Sequence, residues 1–171
     1  ERARRLAEEA EKKVNELLAN EPAVQRMTPV VGETSAAALY AQYGDPQAYA
    51  KPRQYLKGLG LNMKENSSGK RKGTPSIAKR SPGVGRQYLY LSVMRDLKTC
   101  EVTRAWFESK QKRDGGKGKG GRAIVALMRK KAAALWHVAR GEKYDVRKLF
   151  NVELLGLARG RSSGPANKAP R

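Results

Sequence analysis

Arg122-Ala123-Ile124-Val125-Ala126-Leu127-Met128-Arg129-Lys130-Lys131-Ala132-Ala133-Ala134-Leu135-Trp136-His137-Val138-Ala139-Arg140 is the longest regular stretch of this sequence, and its reading decides the fold. Apolar side chains at Ile124, Val125, Leu127, Met128, Ala132, Leu135, Trp136 and Ala139 recur by threes and fours while Arg129, Lys130 and Lys131 fall on another face. That pattern predicts a central core helix. Gly141, just beyond it, predicts the C-cap. His137 lies inside the pattern with no carboxylate beside it to orient the ring, which reads as a structural histidine rather than a catalytic one.

Immediately upstream, Asp114-Gly115-Gly116-Lys117-Gly118-Lys119-Gly120-Gly121 reads as a mobile basic connector. It lacks the Walker spacing of a glycine, four residues and Gly-Lys-Ser/Thr entered from a strand, so it is not a nucleotide loop. Residues 101–112 predict a helix in which Trp106 and Phe107 are expected to be buried. Residues 86–98, periodic in Leu89, Val93, Met94 and Leu97, predict a core helix, and Cys100 sits at the junction of the two with nothing local to mark it as a thiolate. Downstream, residues 144–157 predict a last helix and residues 158–171 a disordered basic tail. No strand alternation appears anywhere, and the fold class expected is mostly α.

Residues 1–22 predict an amphipathic linker helix, apolar at Leu6, Ala10, Val14, Leu17 and Leu18; the stripe suits either a coiled-coil seam or a plain surface helix. Asn20-Glu21-Pro22 ends it, and a helical domain is expected over residues 23–157. Its opening runs from Met27-Thr28-Pro29-Val30-Val31-Gly32 through an Ala-rich segment to Gly44-Asp45-Pro46 and reads as hairpin, short helix and glycine stop. This layout is similar to a helix-hairpin-helix module, in which the glycine turn, here Gly32, aims backbone N–H groups at a phosphate. Ordinary helix-pair packing fits the same residues. Asp45-Pro46 and Lys51-Pro52 predict two short helical turns. Tyr40, Tyr43, Tyr49 and Tyr55 read as core residues with wet edges rather than base-stacking platforms.

Residues 56–80 have no helical period and gather Asn66, Ser67, Ser68 and Gly69 with Lys70, Arg71 and Lys72 into one short segment, which reads as an exposed loop. A hydroxyl beside a glycine and three cations is a place where a phosphodiester is held by charge and approached closely by backbone. A solvated basic loop is the plainer reading of the same composition.

The 171 residues carry 36 Lys and Arg against 16 Asp and Glu, a formal charge of +20, which a polyanion would neutralise. Nucleic acid is the partner this balance implies. A membrane is set aside, since the sequence has no long apolar span and no bulky apolar helix face flanked by cations alone. One cysteine excludes an internal disulfide framework and one histidine excludes the usual Cys/His zinc clusters; a reducing cytoplasmic setting fits. The sequence opens at Glu1 inside a helical pattern and is expected to belong to a longer protein.

Five blocks occur in order: Thr28-Pro29-Val30-Val31-Gly32 with the Ala-rich segment and Gly44-Asp45-Pro46; Tyr55-Leu56-Lys57-Gly58-Leu59-Gly60-Leu61; Ser67-Ser68-Gly69-Lys70; Ile77-Ala78-Lys79-Arg80; and Ala126-Leu127-Met128-Arg129-Lys130 ahead of Trp136. Over roughly residues 26–150 this succession resembles the C-terminal transposase domain of the bacterial insertion-sequence recombinases, guided by a bridge RNA, that join a RuvC-like DEDD domain to a serine domain. The sequence departs from that pattern at Asn62-Met63 and at Lys79-Arg80-Ser81-Pro82-Gly83. The second departure bears on how Lys79 and Arg80 are presented.

The resemblance implies that Ser68 is a nucleophile attacking a DNA phosphodiester to give a covalent phosphoserine link, with Ser67 and Gly69 supporting the loop. Lys70, Arg71, Lys72, Lys79 and Arg80 would supply cations to the phosphate. It implies no cofactor bound by this chain and Mg²⁺ in the RuvC-like domain, together with double-stranded DNA, a guide RNA and a homo-oligomer, dimer or tetramer, as partners. Glu65, the one carboxylate near Ser68 in sequence, is a poor base among so many cations, so activation is expected from the metal domain. These residues alone are expected to bind DNA without cutting it. A non-catalytic basic nucleic-acid-binding module is the alternative, and an oligomerisation segment built on the first helix a third reading. Tyrosine recombination through Tyr88 or Tyr90 lacks its Arg/His constellation, and a lone metal nuclease lacks spaced carboxylates.

Overall fold

The computed structural model describes residues 1–64, 76–77, 82–116 and 120–157, apart from the side chains of Lys64 and Ser76. The described residues are mostly helical, as the sequence predicts. Helix α1 (Arg2–Leu18) is rich in strong helix formers and carries Arg4–Glu8 and Lys12–Glu16 pairs one turn apart. None of its side chains is buried; Val14 and Leu18 lean on helix α3 (Glu33–Tyr43), while Leu6 and Leu17 stay in solvent.

Between them, residues 27–31 are not a hairpin. They belong to helix α2 (Pro22–Val31), which contains Pro29 and runs to Gly32. A proline inside a helix costs about 3 kcal/mol. Val24, Met27, Val30 and Val31 nevertheless form one buried face packed on α3 and on the long C-terminal helix, and that burial outweighs the missing backbone bond. Helix α3 buries Ala36, Ala37 and Leu39, and Gly44 caps it through N–H to Tyr40 O at 2.7 Å. A 3₁₀ turn (Pro46–Ala48) follows, with the Asp45 carboxylate accepting from Gln47 N–H at 2.8 Å, and then helix α4 (Pro52–Gly58). Both proline-led starts are as predicted.

The stretch predicted as an open loop begins inside the core. Leu56 is buried within α4, and Leu59 and Leu61, just past its end, are fully buried. Strand β1 (Met63–Lys64) then pairs antiparallel with β2 (Ser76–Ile77), Met63 opposite Ile77 and Lys64 opposite Ser76. So short a ladder leaves no period-two pattern to be read in the sequence.

Helices α5 (Val84–Thr99), α6 (Glu101–Arg113) and α7 (Gly120–Ala139) complete the bundle. Helix α7 is central, packing against α2, α4, α5 and α6 and burying Ala123, Leu127, Met128, Ala132, Leu135, Val138 and Ala139. Its C-terminus closes as expected: Gly141, at φ 94°, donates to Val138 O and Glu142 N–H to His137 O, the paired bonds of a Schellman turn. Arg26 of α2 donates to Ala139 O at 2.8 Å, and Arg140 lies 4.0 Å over the Trp136 ring while donating to the Gln47 and Tyr49 carbonyls.

Three further expectations are corrected. Trp106 and Phe107 are half-buried, because α6 lies at the edge of the bundle and buries only Thr103 fully. Residues 144–157 form no regular helix: after a 3₁₀ turn (Val146–Leu149), with the Asp145 carboxylate on Arg147 N–H, the backbone extends at Phe150, whose ring packs 5.3 Å from Trp106. Lys131 lies in the interior rather than on a solvated face, held by Asp96 of α5. Of the tyrosines, Tyr40, Tyr43 and Tyr49 do place their hydroxyls on partners, while Tyr55 is fully buried with its hydroxyl unpartnered and its pKa raised by burial.

Candidate nucleic-acid interface

The two-stranded ladder is held against the bundle from both sides. Leu61, buried between α4 and β1, anchors the strand, and Arg129 of α7 donates its Nη1–H to Leu61 O. Strand β2 pairs beside β1, and residues 65–75 lie between the two in sequence. Ser67, Ser68, Gly69, Lys70, Arg71 and Lys72 fall within that segment, and Lys79 and Arg80 just after β2; all lie outside the described residues.

Beneath the ladder runs a groove of about 630 Å³ between β1, β2, the end of α6 and the first half of α7. Leu56, Met63, Ile77, Val125, Ala126 and Ala133 give it apolar walls, and Lys110, Asp114, Arg122, Arg129 and Lys130 supply its polar groups. Lys110 Nζ donates to both oxygens of Asp114, so these two charges cancel. Lys130 Nζ donates to Leu149 O at 2.7 Å and sits over the Trp106 and Phe150 rings; burial lowers its pKa. Arg122 is exposed, and neither it nor Arg129 meets a carboxylate among the described residues. Burial, and then the nearby charge of Arg53 on α4, pull the Arg129 pKa down. The net surplus at the groove is therefore cationic.

These arginines were not singled out from the sequence. The signal that finds them is the absence of any Asp or Glu in residues 122–140: with no acid one turn away, every cation of that helix must seek a carbonyl, a distant carboxylate or an outside anion.

Gly32, the remaining predicted contact, joins α2 to α3 at φ 90° and ψ 158°, and its N–H is taken by Thr28 O at 2.8 Å. Arg95 of α5 fills the space a side chain would need: its Nη1 lies 2.8 Å from where a Cβ would stand, and its guanidinium donates to Val30 O and Val31 O. Here the glycine makes room for an arginine that caps the preceding helix. His137 does have a carboxylate, Glu142 across the Schellman turn, with Nδ1 2.6 Å from Oε1; a spacing of five is not a helical one, so the linear pattern conceals it. Cys100 is half-buried at the junction of α5 and α6.

Among the described residues no three His, Cys, Asp or Glu side chains converge as metal ligands, and no helix is long and apolar enough to cross a membrane. No curated protein matches the chain. Residues 24–107, just under half of the chain and reaching from α2 into α6, match the model of the Transposase IS116/IS110/IS902 family, so the stretch that holds the ladder is similar to a transposase domain.

Proposed function

We propose that this chain is the serine domain of a DNA transposase or site-specific recombinase, with Ser68 as its nucleophile. The observation that carries the reading is the family match across residues 24–107, which takes in Ser68. The pairing of Met63 with Ile77, which flank residues 65–75 in sequence, supports it, since Ile77 packs on the core of the bundle. Ser68 Oγ forms a bond to phosphorus, the bridging P–O bond of the DNA strand breaks, and the leaving strand ends in a hydroxyl. The serine proton passes to a group outside this chain, and the departing alkoxide takes up a proton from water to give that hydroxyl. Lys70, Arg71, Lys72, Lys79 and Arg80 spread positive charge around the phosphorane, and Ser67 and Gly69 shape the turn.

In this reading the metal-binding carboxylates, with Mg²⁺, belong to a separate RuvC-like domain. The active site is shared within a homo-oligomer, and a guide RNA pairs with the target, so base selection leaves no side-chain code in this domain. Gly32 contributes indirectly, since its own N–H is taken by Thr28 O: it leaves room for Arg95, whose half-exposed guanidinium holds the end of α2 and supplies a cation to a flanking phosphate. The setting is the bacterial cytoplasm, at the nucleoid.

Ser68→Ala in the full-length protein tests it. DNA affinity should stay within about twofold while the covalent protein–DNA species and strand exchange vanish. Recombination by the alanine variant would remove Ser68 from the mechanism. Survival of binding with no covalent species in the wild type would leave a basic binding module instead.

A further inference from the structure

We infer that the groove under the ladder is a nucleotide pocket, taking one unstacked base of the bound DNA strand between Met63, Ile77 and the Val125–Ala126 face of α7, with its phosphate on Arg122 and Arg129. The inference rests on the nucleic-acid reading above and adds a binding site to it.

Shape, lining and charge lead to the same occupant. About 630 Å³ exceeds what water or an inorganic ion needs and falls within the range of small-ligand sites. The walls are aliphatic, formed by Leu56, Met63, Ile77, Val125, Ala126 and Ala133, which favour an uncharged planar ring over a charged or sugar-like group. The cations stand among these walls with one carboxylate, Asp114, already bonded to Lys110, so the entrance is cationic and suits a ligand with an apolar head and an anionic tail. A nucleotide has both. Met63 remains 39% exposed although it is an apolar side chain on the groove wall, so this surface is open to a partner. The groove also adjoins β1 and β2, between which Ser68 lies in sequence. Unpairing a base costs more in a duplex than in a strand already opened, so the pocket would select opened DNA.

The experiment uses the full-length protein and a mixed-sequence single-stranded oligonucleotide carrying one 4-thiothymidine, irradiated and mapped by mass spectrometry. Adducts on Met63 and on α7 between residues 122 and 133 are expected. Ala126→Trp, which fills the groove from a partly exposed position, should abolish them and weaken oligonucleotide binding by about tenfold, while the circular dichroism spectrum stays that of the parent. Arg122→Ala, at an exposed position, should weaken the same adducts without touching the apolar walls. Adducts confined to the outer cations, or unchanged by Ala126→Trp in a folded protein, overturn the pocket. Ser68→Ala separates the two proposals: groove adducts that persist without the covalent serine link support the pocket, and a lost link in wild type with adducts intact sinks only the catalytic reading.

Discussion

Lys131, in the middle of α7, directs its Nζ into the carboxylate of Asp96 on α5, and it is the one charged side chain buried among the described residues. The same ammonium donates to Ser92 O at 3.3 Å, and Arg95 reaches the other oxygen of Asp96 at 3.8 Å. Arg95 in turn holds the end of α2, so α2, α5 and α7 share one polar junction. Helix α7 thereby acquires a fixed rotation about its axis: turning it by one residue would leave an ammonium unpaired in an apolar interior.

Removing one partner of this pair should cost far more than replacing the cation. Asp96→Ala strands the buried Lys131 charge and should lose about 3 kcal/mol, whereas Lys131→Met keeps the volume and leaves an Asp96 that is partly exposed and still faces Arg95, and should lose no more than about 1 kcal/mol. Burial lowers the Lys131 pKa against the opposing pull of Asp96. The unfolded chain therefore binds more protons in the window between the folded and unfolded values, and stability contributed by this group rises with pH through that window up to the ordinary lysine range. Urea unfolding at several alkaline pH values checks both statements; in Lys131→Met that rise should disappear.

Gly32 makes a sharper prediction, because two independent obstacles meet a side chain there. Its backbone, at φ 90° and ψ 158°, lies where residues other than glycine are rarely found, and its missing Cβ is the space Arg95 uses. Gly32→Ala should cost about 2 kcal/mol from backbone strain alone, plus the displacement of Arg95. Arg95→Ala by itself should cost about 1 kcal/mol through the lost carbonyl bonds. In the double variant the crowding is gone but the strain is not, so the combined loss should fall short of the sum by several tenths of a kcal/mol. Purely additive losses in thermal unfolding would show that the guanidinium does not need this space.

What was legible beforehand follows from how far apart the informative residues lie. The central helix over 122–140, the proline-led starts at Pro46 and Pro52 and the glycine stops at Gly44 and Gly141 are encoded within a turn or two, and the structure has them all. Residues 27–31 were read as a hairpin because Pro29 and Gly32 are strong local breakers; the buried face of Val24, Met27, Val30 and Val31 overrode the proline. Lys131 looked solvated because its partner is on another helix, and Glu142 was missed because it reaches His137 through the αL turn at Gly141. The ladder at Met63 and Ile77 pairs residues separated by the whole serine loop, so nothing local announces it. The groove arises from that same long-range pairing, and its cations were visible only as an acid-free run. Of the proposed chemistry, Ser68 itself was read from the order of motifs rather than from any physical property of the residues around it.

The last prediction separates charge that positions DNA from the hydroxyl proposed to cut it. A phosphate contact releases counterions, so each Lys or Arg that makes one contributes to the slope of log K against log salt, by about 0.9 for duplex DNA. Lys70→Ala, Arg71→Ala and Lys72→Ala, each in the full-length protein, should lower that slope by about one unit and weaken binding most at low salt. Ser68→Ala should leave both quantities unchanged, since a neutral hydroxyl releases no counterion. Arg53→Ala, on the outer face of α4 beside Arg129, should lower the slope only if the strand continues along the groove. Lys12→Ala, paired with Glu16 on the exposed face of α1, should have no effect and serves as the control. A uniform loss across all these lysines and arginines, Lys12 included, would mean that DNA is drawn to the total charge of +20 rather than held on the serine-loop face.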